Sequence, residues 1–264
     1  MNLWQGILLG LVQGLTEFLP VSSSGHLSLL RALTGLHLTD ETFVFVAVTL
    51  HVATLCSVLV VYGRRLLQIV VGTLRGNPGE RRYAVLLVVG TVPGALLGAL
   101  FHERFEQAFG SLLFIGGAFI VTGLILWSTR WAKVKPEPLT VGGALQIGLA
   151  QAVAIFPGIS RSGSTVSAAL WRGLAPVEAA EFSFLLAVII IAGSGVFEAR
   201  HAMTNIAAVG GVVPLIASFV LAFASGIWAI RFLVAMLRRG RFHAFAPYCF
   251  AVGLFTLGYV LWHG

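Results

Sequence analysis

Two short polar segments interrupt a chain that is otherwise strongly apolar. The first polar segment, LPVSSSGH, covers residues 19–26, and the second polar segment, PGISRSG, covers residues 157–163. Ser22 and Ser160 each stand where they would cap a following helix, whose first N–H groups have no partners within the helix. Helix N-termini of this kind bind anions, so the two segments predict a site for an anion such as phosphate.

Charged side chains accompany both segments. Arg161 supplies a guanidinium that can bind a phosphate through two parallel hydrogen bonds. Glu17 follows Gln13 by four residues, which places both on the helical face that leads to the first polar segment. A carboxylate beside an anion site repels the anion unless it holds a cation, accepts a proton or pairs with Arg161. Each of these is a functional role, and the sequence leaves all three open.

Ser23 and His26 lie three residues apart at the start of the next helix, and therefore on one face of it. A serine hydroxyl becomes a useful nucleophile when a neighbouring base accepts its proton. The spacing permits this pairing without proving it, because Ser and Gly clusters in membrane helices also serve close helix packing. His51, inside an apolar stretch, is interpreted as an interior histidine and is not assigned to the site.

The two polar segments belong to an internal duplication. Gly10 and Gly148 are 138 residues apart (148 − 10), and the same offset aligns four further identical pairs. The complete set pairs Gly10, Gln13, Ser22, Ser24 and Gly25 with Gly148, Gln151, Ser160, Ser162 and Gly163. Self-similarity at a fixed offset indicates repeated architecture. We therefore expect two related halves, residues 1–136 and 137–264.

The composition indicates a membrane environment. The chain is 58% hydrophobic and only 10% charged, with a mean hydropathy of +0.94, whereas soluble domains carry about 25% charged residues. Six apolar stretches reach the length of about 20 residues that a bilayer span requires. They cover residues 43–62, 83–101, 111–129, 179–197, 210–236 and 245–262. The predicted fold is an all-α polytopic membrane protein with six transmembrane helices.

The apolar pieces around the two polar segments are shorter and are broken by Pro, Gly and Ser. Residues 2–18 and 27–36 flank the first segment, and residues 142–156 and 163–174 flank the second. We interpret each pair as a re-entrant helical hairpin, which enters the membrane and returns on the same side. Irregular backbone within a bilayer is tolerated only where protein or a water-filled cavity satisfies it. The hairpin tips are therefore where a site would form.

Each half then contains one hairpin and three spans, and because three is odd the second half must be inverted relative to the first. The positive-inside rule favours an N-terminus outside, since most basic residues then fall in inner connections. These are Arg64, Arg65, Arg75, Arg81, Arg82, Arg130, Lys133, Lys135, Arg238, Arg239 and Arg241, against Arg31, Arg104 and Arg200 outside. Both termini are predicted outside, with the hairpin tips meeting near the midplane.

The basic residues therefore report topology rather than nucleic-acid binding, because they cluster in short connections instead of forming one stripe. We expect the partners to be the membrane and an anionic substrate, with no nucleic acid. Whether the protein forms a homodimer is left open.

Two longer motifs carry a resemblance to a known family. QGLTEFLPVSSSGH, residues 13–26, and PGISRSGST, residues 157–165, resemble the signatures of the undecaprenyl pyrophosphate phosphatase (bacitracin-resistance) family, and the similarity extends along the chain. This resemblance implies a hydrolase of the bacterial inner membrane, with its site open to the outer face. Members of this family remove the terminal phosphate from a C55 polyprenyl pyrophosphate, giving the monophosphate carrier lipid used in cell-wall synthesis.

The resemblance implies catalytic and substrate-binding residues at matching positions. They are Glu17, Ser23, His26 and Arg161 as catalytic residues, and Gln13, Ser22, Ser24, Ser160, Ser162 and Thr165 as substrate-binding residues. Ser23 is the first choice of nucleophile, with His26 as its base or as the leaving-group acid, and an activated water is the alternative. Gln13 stands where many members of the family have Glu.

A divalent cation, Mg²⁺ or Ca²⁺, is the cofactor that the family implies. Magnesium commonly binds through one or two carboxylates together with substrate phosphates. Glu17 is the predicted protein ligand, in which role it would hold the cation instead of orienting His26.

Transport is the alternative function. Inverted repeats with broken helices that meet at the midplane also build secondary transporters, so a flippase of polyprenyl phosphate would use the same anion site. A transporter needs no nucleophile or proton-transfer pair, and Ser23 with His26 is therefore the discriminating feature. A channel is disfavoured, since the polar residues concentrate at two segments instead of lining a continuous path.

Overall fold

The computed structural model describes residues 1–36, 38–101, 108–135, 138–199 and 209–263, and these contain α-helices and short 3₁₀ turns but no strand. The first five α-helices are α1 (Leu3–Phe18), α2 (Ser23–Leu33), α3 (Asp40–Leu74), α4 (Pro78–Leu100) and α5 (Leu112–Ser128). The others are α6 (Val141–Val153), α7 (Arg161–Trp171), α8 (Pro176–Ala199), α9 (Val212–Arg238) and α10 (Ala246–His263). The all-α prediction is confirmed.

Six of these helices are long and apolar enough to cross a membrane, as predicted. They are α3, α4, α5, α8, α9 and α10, and in two of them the apolar helical stretch includes an adjoining 3₁₀ turn. The chain is thus a multi-pass membrane protein. The remaining helices, α1, α2, α6 and α7, have 16, 11, 13 and 11 residues, which is short of the length of about 20 residues that a span needs. Their re-entrant course and the inverted insertion of the two halves remain predictions.

Helix α3 differs from its predicted extent. It continues beyond residue 62 to Leu74, so Arg64 and Arg65 lie on a helix rather than in a connection. Arg65 donates to Glu80 at 2.7 Å and to Glu181 at 2.9 Å, which ties α3 to α4 and α8. These two carboxylates balance the positive charge of Arg65, which had set the predicted end of the span before it. Two arginines from the topology argument, Arg104 and Arg200, lie outside the described residues.

The first helix of each half packs closely against a helix of the other half, α1 on α9 and α6 on α4. Glycines make both approaches possible. A Cβ atom at Gly10 would collide with the backbone carbonyl of Ser218, and one at Gly148 would collide with that of Gly90. Gly10 and Gly148 are a pair in the duplication, so both halves use the same residue to bring α1 and α6 into place.

Replacing Gly148 with alanine should destabilise the protein, because the new methyl group meets backbone rather than a side chain that can move. Overpacking of this kind costs about 1–3 kcal/mol or more. Gly142→Ala on the same helix is the matched control, since the described residues place nothing within 4 Å of a Cβ there. Thermal unfolding in detergent should show a lower midpoint for Gly148→Ala alone. Equal midpoints for the two variants would contradict this packing.

Candidate active site

The first polar segment begins where α1 ends. Leu19 is extended because it precedes Pro20, which disfavours the helical conformation in the residue before it. Ser22 has φ +67°, and it is the one non-glycine residue with a positive φ in the described part of the chain. Its Oγ accepts the N–H of Gly25 at 3.4 Å and so caps α2. Strained backbone of this kind is found preferentially at functional sites.

The second polar segment is held by α5. Gly158 has φ +92°, a conformation that suits glycine. Thr122 of α5 donates its hydroxyl to the carbonyl of Gly158 at 2.8 Å and accepts the N–H of Ser160 at 3.0 Å. Ser160 in turn caps α7 by accepting the N–H of Gly163 at 3.0 Å. The start of α7 is therefore fixed by hydrogen bonds on both sides.

The structure brings the two polar segments into direct contact. The N–H of Gly158 donates to Ser22 Oγ at 3.1 Å. Ser162 Oγ donates to the carbonyl of Leu19 at 3.1 Å. The starts of α2 and α7, one from each half, consequently lie side by side.

Unpaired backbone donors collect at this meeting point. Within the described residues, the N–H groups of Ser23 and Ser24 at the start of α2 have no hydrogen-bond partner, and neither do those of Arg161 and Ser162 at the start of α7. Helix N-termini also carry a partial positive charge. The arrangement thus combines two sets of donors that suit an anion.

Glu17 is the centre of the polar contacts. This buried carboxylate accepts Arg161 Nη2 at 2.6 Å through Oε1. Its Oε2 accepts the hydroxyl of Ser23 at 2.5 Å and the amide of Gln13 at 3.1 Å. Of the three roles left open by the sequence, the structure shows pairing with Arg161 and an oxygen placed to accept the Ser23 proton.

Two buried polar atoms at the site have no partner among the described residues. One is Arg161 Nη1, a donor on the same guanidinium that binds Glu17. The other is Gln13 Oε1, an acceptor. Unsatisfied buried groups are costly and call for a ligand, a water or an ion. Arg161 Nη1, a donor, suits a phosphate oxygen, and Gln13 Oε1, an acceptor, suits a cation or a water.

His26 does not pair with Ser23, so that prediction is wrong for this structure. Its Nδ1 is 2.7 Å from the carbonyl of Ser22, and its Nε2 is 2.8 Å from the hydroxyl of Tyr248 on α10. The bond to a carbonyl four residues back turns the ring away from Ser23. A shared helical face sets proximity only, and local backbone acceptors compete for the side chain.

His51 belongs to the site, contrary to the interpretation from the sequence. Its Nδ1 is 2.7 Å from the carbonyl of Ala47, which leaves Nε2 facing Glu17 Oε2 at 3.7 Å. The signal that would have found it is simple, because an ionisable side chain within a membrane span is a functional hypothesis by default. Tyr248 gave no such signal, since tyrosine is common at membrane interfaces.

The remaining predicted residues support the backbone of the site. Thr165 donates to the carbonyl of Arg161 at 2.8 Å and shares a hydrogen bond of 2.5 Å with Ser183 of α8. Ser24 bonds to Ser22 at 3.3 Å, and Ser162 bonds to Ser160 at 3.2 Å, in matching arrangements. Their side chains are already occupied by protein partners, so they contribute by holding the two helix starts.

The residues at the site fit a cation that arrives with a substrate better than a resident metal. No group of three or more His, Cys, Asp or Glu residues with metal-binding geometry occurs in the described part of the chain. Both oxygens of Glu17 already accept hydrogen bonds, one of them from a guanidinium. Gln13 Oε1 is the free acceptor beside them.

Thr122→Val should lower both stability and activity, because the segment at residues 157–163 loses the hydroxyl of α5 that bonds to Gly158 and Ser160. An unsatisfied buried group costs about 1–3 kcal/mol. Thr256→Val is the control, since in the described part of the chain that hydroxyl bonds only within its own helix, to the carbonyl of Val252. We expect a lower midpoint of thermal unfolding for Thr122→Val than for Thr256→Val. Equal effects would show that Thr122 does not hold the segment.

Known proteins share similarity with this chain over nearly its whole length. Residues 6–255 match the sequence profile of the family described as bacitracin resistance protein BacA. An undecaprenyl-diphosphatase of Korarchaeum cryptofilum is 39% identical over 271 residues, which covers 97% of this chain and 99% of that protein. One from Desulforapulum autotrophicum is 38% identical, covering 97% and 98%, and one from Carboxydothermus hydrogenoformans is 40% identical, covering 97% of each. The chain therefore belongs to the bacitracin resistance protein BacA family.

Proposed function

We propose that this protein is an undecaprenyl-diphosphatase, which hydrolyses a C55 polyprenyl pyrophosphate to the monophosphate and inorganic phosphate. Its relatives across the whole chain carry that name. The observation that carries the proposal is the contact of Arg161 and Ser23 with the buried carboxylate of Glu17, placed where two helix starts meet. It combines an anion-binding cation, a hydroxyl and a proton acceptor within hydrogen-bond distance.

The terminal phosphate binds between the starts of α2 and α7. Arg161 Nη1 and the unpaired N–H groups of both helices donate to its oxygens. Fixed donors of this kind stabilise the charge on a transferring phosphoryl group, and electrostatics of this sort is usually the largest catalytic effect. The prenyl chain stays in the lipid alongside the apolar helices.

Ser23 is the nucleophile in this mechanism. Its Oγ bonds to the terminal phosphorus while its proton passes to Glu17 Oε2, 2.5 Å away. The bond from that phosphorus to the bridging oxygen breaks, and the bridging oxygen leaves with the polyprenyl monophosphate. Water then attacks the phosphorylated serine while Glu17 returns the proton to the serine oxygen, and both hydrogens of the water leave with the inorganic phosphate. A water in place of the serine oxygen is the alternative nucleophile.

Arg161 links substrate binding to activation of the serine. In the free protein its Nη2 holds Glu17 at 2.6 Å. An arriving phosphate gives the guanidinium a second anion to bind through Nη1, so the same positive charge stabilises the Glu17 carboxylate less. Glu17 then becomes a stronger acceptor for the Ser23 proton, which already points at its Oε2.

The divalent cation of the proposal binds together with the substrate. Gln13 Oε1 and a Glu17 oxygen are the protein atoms that would join phosphate oxygens around it. When bound, the cation would neutralise part of the pyrophosphate charge. No step above depends on it.

Topology completes the proposal. The distribution of basic residues favours both termini outside the inner membrane, with the first polar segment reached from the outer face. In that orientation the enzyme regenerates the monophosphate carrier lipid for cell-wall synthesis.

The proposal is tested by measuring products from undecaprenyl pyrophosphate with purified wild-type protein in detergent, with and without a chelator. We expect one inorganic phosphate for each polyprenyl monophosphate formed. Loss of activity with chelator and its return with Mg²⁺ or Ca²⁺ would support the cation. If well-folded protein binds the lipid but releases no phosphate, the proposal fails and the transport alternative is favoured.

A further inference from the structure

The imidazole of His26 is held between the two halves of the molecule. Its Nδ1 contacts the carbonyl of Ser22, in the first half, at 2.7 Å. Its Nε2 contacts the hydroxyl of Tyr248, in the second half, at 2.8 Å. We propose that Tyr248 is a positioning residue, which fixes the tautomer and the direction of His26 for the reaction. This role rests on the proposed phosphatase function.

The hydrogen bonds define the tautomer of the neutral ring. A carbonyl oxygen accepts but never donates, so Nδ1 must carry the proton that is directed at Ser22. Nε2 then holds a lone pair, and Tyr248 donates its hydroxyl proton to it. Without that donor, Nε2 would still be free to accept a proton, but one of the two restraints on the ring would be gone.

Ring contacts fix the plane of the imidazole as well. The rings of His26 and Tyr248 are nearly parallel, with an angle of 5° and centroids 5.7 Å apart. Phe119 of α5 meets the imidazole edge-on, at 80° and 5.0 Å. The ring therefore has little freedom to turn, and its Nε2 points toward α10.

The position of Tyr248 is coupled to the first polar segment by its neighbour. The buried thiol of Cys249 donates to the carbonyl of Pro20 at 3.6 Å. The first turn of α10 is thus attached to the segment that carries Ser22 and Ser23. Tyr248 itself is 47% exposed, so its hydroxyl lies at the rim of the site, where a head group can take its place.

This geometry gives His26 a defined task. It faces away from Ser23, which donates to Glu17 instead, and it cannot be the base for that serine in this arrangement. A neutral imidazole with Nε2 at the rim is suited to exchange a proton with a phosphate oxygen that displaces the tyrosine hydroxyl. Tyr248 keeps the nitrogen in that direction until the substrate arrives.

The test compares Tyr248→Phe with wild type and with Tyr259→Phe, a tyrosine near the opposite end of the same helix. Phenylalanine retains the ring and removes only the hydroxyl. We expect kcat/KM to fall roughly 10-fold through a higher KM, with kcat close to wild type, because Tyr248 orients His26 before the head group takes its place. Tyr259→Phe should match wild type, and thermal unfolding should show that all three are folded.

Nitrogen chemical shifts of ¹⁵N-histidine-labelled protein supply a readout that does not require catalysis, with the His26 signal identified through His26→Asn. We expect wild type to show the Nδ1–H tautomer alone. In Tyr248→Phe the ring has lost its second restraint and can turn away from the Ser22 carbonyl, so we expect a mixture of tautomers. An unchanged tautomer in Tyr248→Phe would overturn the positioning role, whether or not kcat/KM falls. If wild type releases no phosphate, the phosphatase proposal fails while the tautomer measurement still decides the positioning of His26.

Discussion

Replacing Arg161 with alanine should lower kcat/KM for undecaprenyl pyrophosphate by about a thousandfold or more, which corresponds to about 4 kcal/mol of transition-state stabilisation. One guanidinium nitrogen, Nη2, donates to Glu17, and the other, the buried Nη1, has no partner among the described residues. The variant therefore removes a phosphate ligand and leaves a buried carboxylate uncompensated. Steady-state phosphate release in detergent measures the loss.

Two companion variants separate charge from geometry in that result. Arg161→Lys keeps the positive charge but lacks the planar fork, and should retain part of the activity. Arg172→Ala, at the exposed far end of α7, is the control and should match wild type. If Arg161→Ala keeps a tenth of the wild-type kcat/KM or more, Arg161 is not the principal phosphate ligand.

Ser23→Ala should be the most severe of the single substitutions, with kcat reduced by about 10⁴-fold or more if the serine forms the covalent bond. The mutation removes one hydroxyl, which donates to Glu17 at 2.5 Å. Little stability should be lost, because Glu17 retains Arg161 and Gln13 as donors. The rate is measured in single-turnover experiments with excess enzyme, so that weaker substrate binding does not contribute.

Ser28→Ala is the matched control for this variant, since Ser28 is a half-buried serine on the same helix. It should retain wild-type kcat. A loss of less than tenfold in Ser23→Ala would show that water is the nucleophile and that Ser23 only helps to place it.

Much of the fold is predictable from the sequence because membrane solvation imposes strong rules. Apolar length set five of the six spans to within five residues, and Pro20 with the capping serines Ser22 and Ser160 marked both interruptions. The end of α3 was predicted too early, because a charged residue such as Arg65 normally ends an apolar span. The charge of Arg65 is balanced by Glu80 and Glu181 from other helices, and this pairing cannot be predicted from the residues around Arg65.

The sequence predicts which residues form the candidate site better than it predicts which of them bond to each other. Charge marked Glu17 and Arg161, helical spacing and the family resemblance marked Ser23, and the structure places the three side chains in contact. The partner of Ser23 was not predictable, because helical spacing cannot say whether His26 bonds to a side chain or to the backbone of Ser22. The contribution of α10, through Tyr248, depends on how that helix is rotated in the packed molecule.

A double-mutant cycle of Glu17→Gln, Arg161→Ala and the combined variant, assayed for phosphate release, tests most directly whether residues from both halves form one hydrolytic site. Groups that act as a unit give strongly non-additive losses. We predict that the double variant is no slower than the slower single variant, and that it recovers stability lost by Arg161→Ala, because the buried carboxylate is gone. Losses in kcat/KM that simply multiply would contradict the shared site.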